Sequence, residues 1–323
     1  MHHLELEQSL SDYTLREAAR LTGAGYLAPL SLADHLREKA SAILLDQYAH
    51  PALQDTARLA QCPIHVYEHR SPTSALELLS RTKGSSNVFL LSDGVFGLDG
   101  SIMPVERFHQ LLPPEITFLI DDAHGFGTLG KTGAGTGEEQ GVQDQIDVYF
   151  ATFAKSMAST GAFISGDNEI IGFLRYNMRS QMFAKSLQIQ LVIGALKRLE
   201  LLQTKPELKD KLWENVNMLQ TGLKQRGFDI GSTQSCVTPV YLEGSVPEAM
   251  ALVRDLRENY QIFCSIVVYP VIPKGLILLR LIPTSSHNEY DINETLDAFA
   301  SIREKLEKGV YKIASNGVGE EVN

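Results

Sequence analysis

Glu115-Ile116-Thr117-Phe118-Leu119-Ile120 runs straight into Asp121-Asp122-Ala123-His124-Gly125-Phe126-Gly127, and this stretch decides the fold. Its first six residues read as a buried strand, and the polar cluster begins where the strand stops. After a glycine-rich excursion comes a second strand-like run, Val148-Tyr149-Phe150-Ala151-Thr152-Phe153, which ends at Ala154-Lys155-Ser156. A third, Gly161-Ala162-Phe163-Ile164-Ser165-Gly166, follows directly. Upstream, residues 42–46, 64–67 and 88–91 read as further strands, with helical stretches at 72–81 and 104–111. Strands alternating with helices predict an α/β fold with a mainly parallel sheet and helices on both faces.

In open α/β sheets ligands collect beyond the carboxyl ends of the strands. Two strands here deliver an acid, an imidazole and an amine to those ends: Asp121, His124 and Lys155. Lys155 lies between an apolar strand and small residues (Ser156, Ala158, Ser159, Gly161), where desolvation is expected to lower its pKa. A lysine of that kind forms Schiff bases with carbonyls. An aspartate closing a buried strand suits the pyridinium nitrogen of pyridoxal phosphate, because the ion pair keeps the ring protonated as an electron sink. Taken singly, each residue has a plainer reading: a cap, a solvated amine, a satisfied histidine.

Composition narrows the classes. With 323 residues the chain is long enough for two domains, or one large domain with an appendage, and 44% hydrophobic with 21% charged residues is ordinary for a globular protein. A formal net charge of −10, with no Lys/Arg run, argues against a nucleic-acid surface. Cys62, Cys236 and Cys264 lie far apart, without metal spacing, and read as buried thiols in a reducing, cytoplasmic compartment. No segment has the length of a membrane span, and no metal site is expected.

Asp121-Asp122-Ala123-His124-Gly125, Gly130-Lys131-Thr132-Gly133-Ala134-Gly135-Thr136 and Thr152-Phe153-Ala154-Lys155-Ser156 together resemble the α-oxoamine synthases, fold-type I pyridoxal-phosphate enzymes of the class I/II aminotransferase superfamily. The likeness runs from about Leu4 to Lys305. It implies a decarboxylative condensation of an amino acid with an acyl-CoA, giving an α-amino ketone, in a homodimer whose active site is shared. Lys155 would carry the cofactor and act as base, Asp121 would pair with the pyridine nitrogen, and His124 would hydrogen-bond the ring oxygen or the thioester carbonyl. His50 matches the histidine that stacks on the ring. Gly25 and Tyr26, in Leu21-Thr22-Gly23-Ala24-Gly25-Tyr26-Leu27-Ala28, match the turn whose amides meet the cofactor phosphate, and Thr152 joins them. Lys185 stands where relatives carry a threonine that reaches the neighbouring subunit's phosphate; it serves that anion by charge, or it is a solvated lysine. Arg280 matches the second arginine of an Arg-x-Arg strand that holds the substrate carboxylate, the first being Leu278 here; an internal salt bridge is the alternative. Ala24 and Gly97 replace serines that the family commonly has.

The domain boundary is expected near Thr204-Lys205-Pro206: residues 1–204 form the large cofactor domain, 205–312 a small α+β domain, and 313–323 a disordered tail. Strands at 237–242, 263–269 and 276–282, with helices at 207–226, 247–260 and 291–308, make up the small domain. The family's N-terminal arm has no counterpart before residue 3, which suggests either an internal start or a shortened paralogue. Two other readings stay open: an aminotransferase or lyase using the same Lys155 and Asp121, and a cofactor-binding partner subunit without turnover.

Overall fold

The computed structural model describes residues 1–81 and 87–315. The chain divides into two compact units, one formed by 1–96 with 102–206, the other by 97–101 with the chain from Glu207 onward. The expected tail from 313 begins inside a helix, Val310–Ser315, and the remainder of it lies outside the described residues. Among the described residues no helix is long and apolar enough to cross a membrane.

The first unit is a seven-stranded sheet of β1 (Ala18–Thr22), β2 (Ala42–Asp46), β3 (Ile64–Tyr67), β4 (Val88–Asp93), β5 (Thr117–Asp121), β6 (Val148–Thr152) and β7 (Ala162–Gly166), in the spatial order β1-β7-β6-β5-β4-β2-β3. β3, β2, β4, β5 and β6 run parallel, and β7 is antiparallel to both β6 and β1. The central strands are apolar on both faces, as a sheet covered by helices on either side requires. Leu44, Leu90, Phe118 and Ile120 pack into one buried cluster, while their neighbours Ile43, Leu45, Leu91 and Leu119 pack into a second. This is the period-two alternation of a strand with core on each side. β1 was not expected as a strand. Its Ala18-Ala19-Arg20 lacks β-branched residues, and pairing with β7 along five positions builds it.

The parallel arrangement aligns four strand ends. β2, β4, β5 and β6 finish on Asp46, Asp93, Asp121 and Thr152, so these four parallel strands change from apolar to polar at the same edge of the sheet.

The second unit pairs β8 (Thr238–Glu243), β10 (Leu276–Leu281) and β9 (Ser265–Val267) as an antiparallel sheet with β10 in the centre. The helices Pro206–Gln225, Val246–Asn259 and Glu289–Glu307 supply Leu219, Leu223, Leu252, Leu256, Phe299 and Ile302 to its core. Two of these helices start earlier than hydrophobic periodicity suggests. Ser245 with Glu248, and Asn288 with Asp291, form reciprocal capping boxes that occupy the free amides of the first turn.

Candidate active site

Asp121 ends β5 with its side chain 9% exposed, and its Oδ1 accepts the Ala123 N–H at 3.1 Å. Burial pushes its carboxyl up to about 6, against the pull of the Ala123 amide and the Lys155 charge. His124, three residues on, is half-buried, and its Nε2 lies 3.0 Å from the Lys155 Nζ. An ammonium at Lys155 donates in this contact, which puts the imidazole proton on Nδ1.

Lys155 is presented differently from the sequence expectation. Lys155, Ala154 and Ser156 are all exposed, so apolar enclosure does not surround the amine. The backbone gives the reason. Phe153 N–H bonds the Gly161 carbonyl and Ser159 N–H bonds the Phe153 carbonyl, while Ala158 adopts a left-handed φ of 43°. This tight turn lifts residues 154–160 past the sheet edge, where His124 and Asp121 define the surroundings of the amine.

Thr152 and Gly25 meet at the same edge. A Cβ on Gly25 would stand 3.0 Å from the Thr152 Oγ1, so only glycine lets the β1 turn close on this hydroxyl without displacing it. The Thr152 Oγ1 accepts the Ala154 N–H at 3.1 Å and donates to the Gly161 carbonyl at 3.2 Å. Among the described residues the Gly25 and Tyr26 amides have no protein acceptor, which leaves two donors beside a hydroxyl: a set suited to a phosphate. The helix that follows, Leu27–Leu30, is a single turn, so the individual amides rather than a long helix dipole carry that suitability. The Tyr26 hydroxyl donates to Asp55.

His50 caps the helix Pro51–Leu59. Its Nδ1 accepts the Ala52 N–H at 3.2 Å, and its own N–H donates to the Asp93 Oδ2 at 2.8 Å. Partial burial, and secondarily the Lys155 charge, lower its pKa, so the ring is neutral with the proton on Nε2. A neutral, tethered imidazole can lie against an aromatic ring without competing for its protons.

Two further buried acids share this edge. Asp93 is 7% exposed, and burial with the neighbouring Asp121 charge raises its carboxyl well above the usual range. Asp122 is fully buried and accepts the Thr136 N–H at 2.6 Å, the Thr136 hydroxyl at 2.6 Å and the Tyr149 hydroxyl at 3.2 Å. Asp122 thereby ties the glycine-rich loop to β6. The legible signal for both was an acid terminating an apolar run.

Two candidates remain, Lys185 and Arg280. Lys185 is exposed in the loop after the short helix Arg179–Met182. Arg280 belongs to the second unit, where its Nη1 donates to the Gly97 carbonyl at 2.6 Å and its buried Nε has no partner. None of the ion pairs found among the described residues involves Arg280, and burial without a compensating acid lowers its pKa.

Comparison with known proteins gives the family. The family model described as aminotransferase class I and II matches residues 1–299. The cysteate-C-fatty acyltransferase of Capnocytophaga ochracea is 52% identical over 320 residues, 96% of this chain and 75% of that protein. The serine palmitoyltransferase of Sphingobacterium spiritivorum is 31% identical over 306 residues, 94% of this chain and 76% of that protein. Among solved structures, Sphingomonas wittichii serine palmitoyltransferase superposes with a TM-score of 0.89 at 27% identity, covering 96% of this chain and 77% of that one. The chain belongs to the aminotransferase class I and II family, among its α-oxoamine synthases, which are pyridoxal-phosphate-dependent C-acyltransferases.

Proposed function

We propose that the chain joins cysteate to a fatty acyl thioester with loss of carbon dioxide. The observation that carries this is the 52% identity to a cysteate-C-fatty acyltransferase, together with Lys155, His124 and Asp121 gathered at one sheet edge. The same residues would serve an aminotransferase or lyase, but the α-oxoamine synthase membership favours condensation.

The residues fit pyridoxal phosphate. When bound, it supplies an electron sink for the negative charge left at the amino acid Cα. Lys155 offers the amine for covalent attachment and, once released, the base that moves the Cα proton. Asp121, ionised, holds a proton on the pyridine nitrogen. His50 positions the ring by its flat face. Thr152 and the Gly25 and Tyr26 amides take the phosphate. His124, within reach of Lys155, donates to the ring oxygen or the thioester carbonyl. Lys185 adds its charge to the phosphate of a second subunit in a homodimer. Arg280 takes the substrate carboxylate; its unpartnered Nε and the absence of an acidic partner among the described residues support that assignment.

The test is a competition. Purified protein with pyridoxal phosphate and palmitoyl-CoA is given cysteate, serine, glycine or alanine, and free thiol release is followed. Cysteate is expected to give the highest kcat/KM. A higher value for serine would replace the cysteate assignment while leaving the synthase chemistry intact.

A further inference from the structure

Asp93 is not used in the chemistry above, yet it touches that chemistry on two sides. It closes β4 as the register partner of Asp121 on β5, and its Oδ2 accepts the backbone N–H of His50 at 2.8 Å. One carboxyl therefore links the turn carrying the ring-stacking histidine to the strand position beside the acid assigned to the pyridine nitrogen.

The neighbouring charges decide which form that carboxyl takes. On β2, Asp46 accepts the Tyr48 and Arg70 amides and contacts the His69 ring. After β5, Asp122 is held by Thr136 and Tyr149. On the β6 side, the Lys155 charge acts on Asp121 and His50. Asp93 has the His50 amide and is surrounded by the carboxylates of Asp121, Asp46 and Asp122. Adjacent buried carboxyls do not both ionise readily, so one retains a proton. Burial and like charge drive Asp93 well above the usual carboxylate range, whereas Asp121 reaches about 6. Asp121 has the Lys155 charge to offset its own and Asp93 has only carboxylates around it, so of the two Asp93 is the one placed to hold the proton.

We propose that Asp93 is a positioning residue of the cofactor site: as a neutral carboxylic acid it anchors the His50 backbone and leaves the negative charge beside the pyridine nitrogen to Asp121. This rests on the pyridoxal-phosphate reading and goes beyond it. Asparagine copies the shape of a neutral Asp93 and keeps a carbonyl oxygen for the His50 N–H, whereas alanine removes both.

Three measurements on the full chain test it. Infrared spectra of the protein without cofactor at about pH 8, well above the ordinary aspartate range, are expected to contain the carbonyl stretch of a protonated carboxylic acid. That band is expected to vanish in Asp93→Asn. Titration with pyridoxal phosphate is expected to give Asp93→Asn an affinity within about threefold of wild type and Asp93→Ala one weaker by on the order of tenfold, from the orphaned His50 amide. Visible circular dichroism of the bound cofactor, which reports ring orientation, is expected to survive in Asp93→Asn and change in Asp93→Ala. A band that persists in Asp93→Asn overturns the proposal, as does equal weakening in both variants; neither result touches the site assignment. Failure of wild type to take up pyridoxal phosphate overturns that assignment and this proposal with it. If Asp93→Ala does not fold, the infrared band and the Asp93→Asn affinity still decide.

Discussion

Asp121 places a carboxyl in a site where its charge costs stability until a cation arrives. Its folded pKa of about 6 stands above the unfolded value of about 3.9, so the folded protein binds more protons between those two values. The contribution of this group to stability therefore rises as pH falls from about 6 to 4, and the cost is full above 6. Two pKa units correspond to roughly 3 kcal/mol. Asp121→Asn is expected to make the protein without cofactor more stable at pH 8 by about 1–3 kcal/mol in urea unfolding, and to flatten this part of the pH dependence. With pyridoxal phosphate present the order should reverse, because the wild-type carboxylate then has the pyridinium as partner. For Lys155, replacement by alanine is expected to abolish the visible absorbance of bound cofactor and to lower kcat by at least about 10²–10⁴-fold. A variant that keeps the band would remove Lys155 from the attachment role.

At the scale of elements, the site depends on two loops held by close backbone approach. Gly135 has a φ of 106°, and a Cβ there would lie 1.9 Å from the Asp122 Oδ2. Gly135→Ala is expected to destabilise by about 2–4 kcal/mol, through left-handed strain and displacement of the buried Asp122; thermal unfolding measures it. Gly25 differs because its φ is one that alanine adopts and its only obstacle is the Thr152 side chain at 3.0 Å. Gly25→Ala is therefore expected to leave the melting temperature within a few degrees while weakening pyridoxal-phosphate affinity by on the order of tenfold. A large loss of stability in that variant would show that the turn, rather than the phosphate contact, needs the glycine.

At the scale of the whole molecule, the proposed role of Lys185 requires two copies of the chain. A symmetric dimer that shares its sites allows one defective subunit to complete the other. Mixing Lys155→Ala with Lys185→Glu, each impaired alone, is expected to restore about a quarter of wild-type activity, since half of the dimers are mixed and each mixed dimer has one intact site. No recovery after exchange of subunits would mean that Lys185 acts within its own subunit or not at all.

How much was legible follows from these cases. By itself the sequence determined the α/β class, the order of strands and helices and the positions of Asp121, His124 and Lys155, because continuous apolar runs stop abruptly at polar residues and the motifs are contiguous. The edge strand β1 was not legible, since pairing with β7 rather than local propensity forms it. Nor was the exposed presentation of Lys155, which the turn ending at Gly161 sets. Only the tertiary structure brought Asp93 beside Asp121 and under the His50 amide, 43 residues away in the chain. Strand register is a long-range property: it decides which strand ends become neighbours, and with them which carboxyls share a proton.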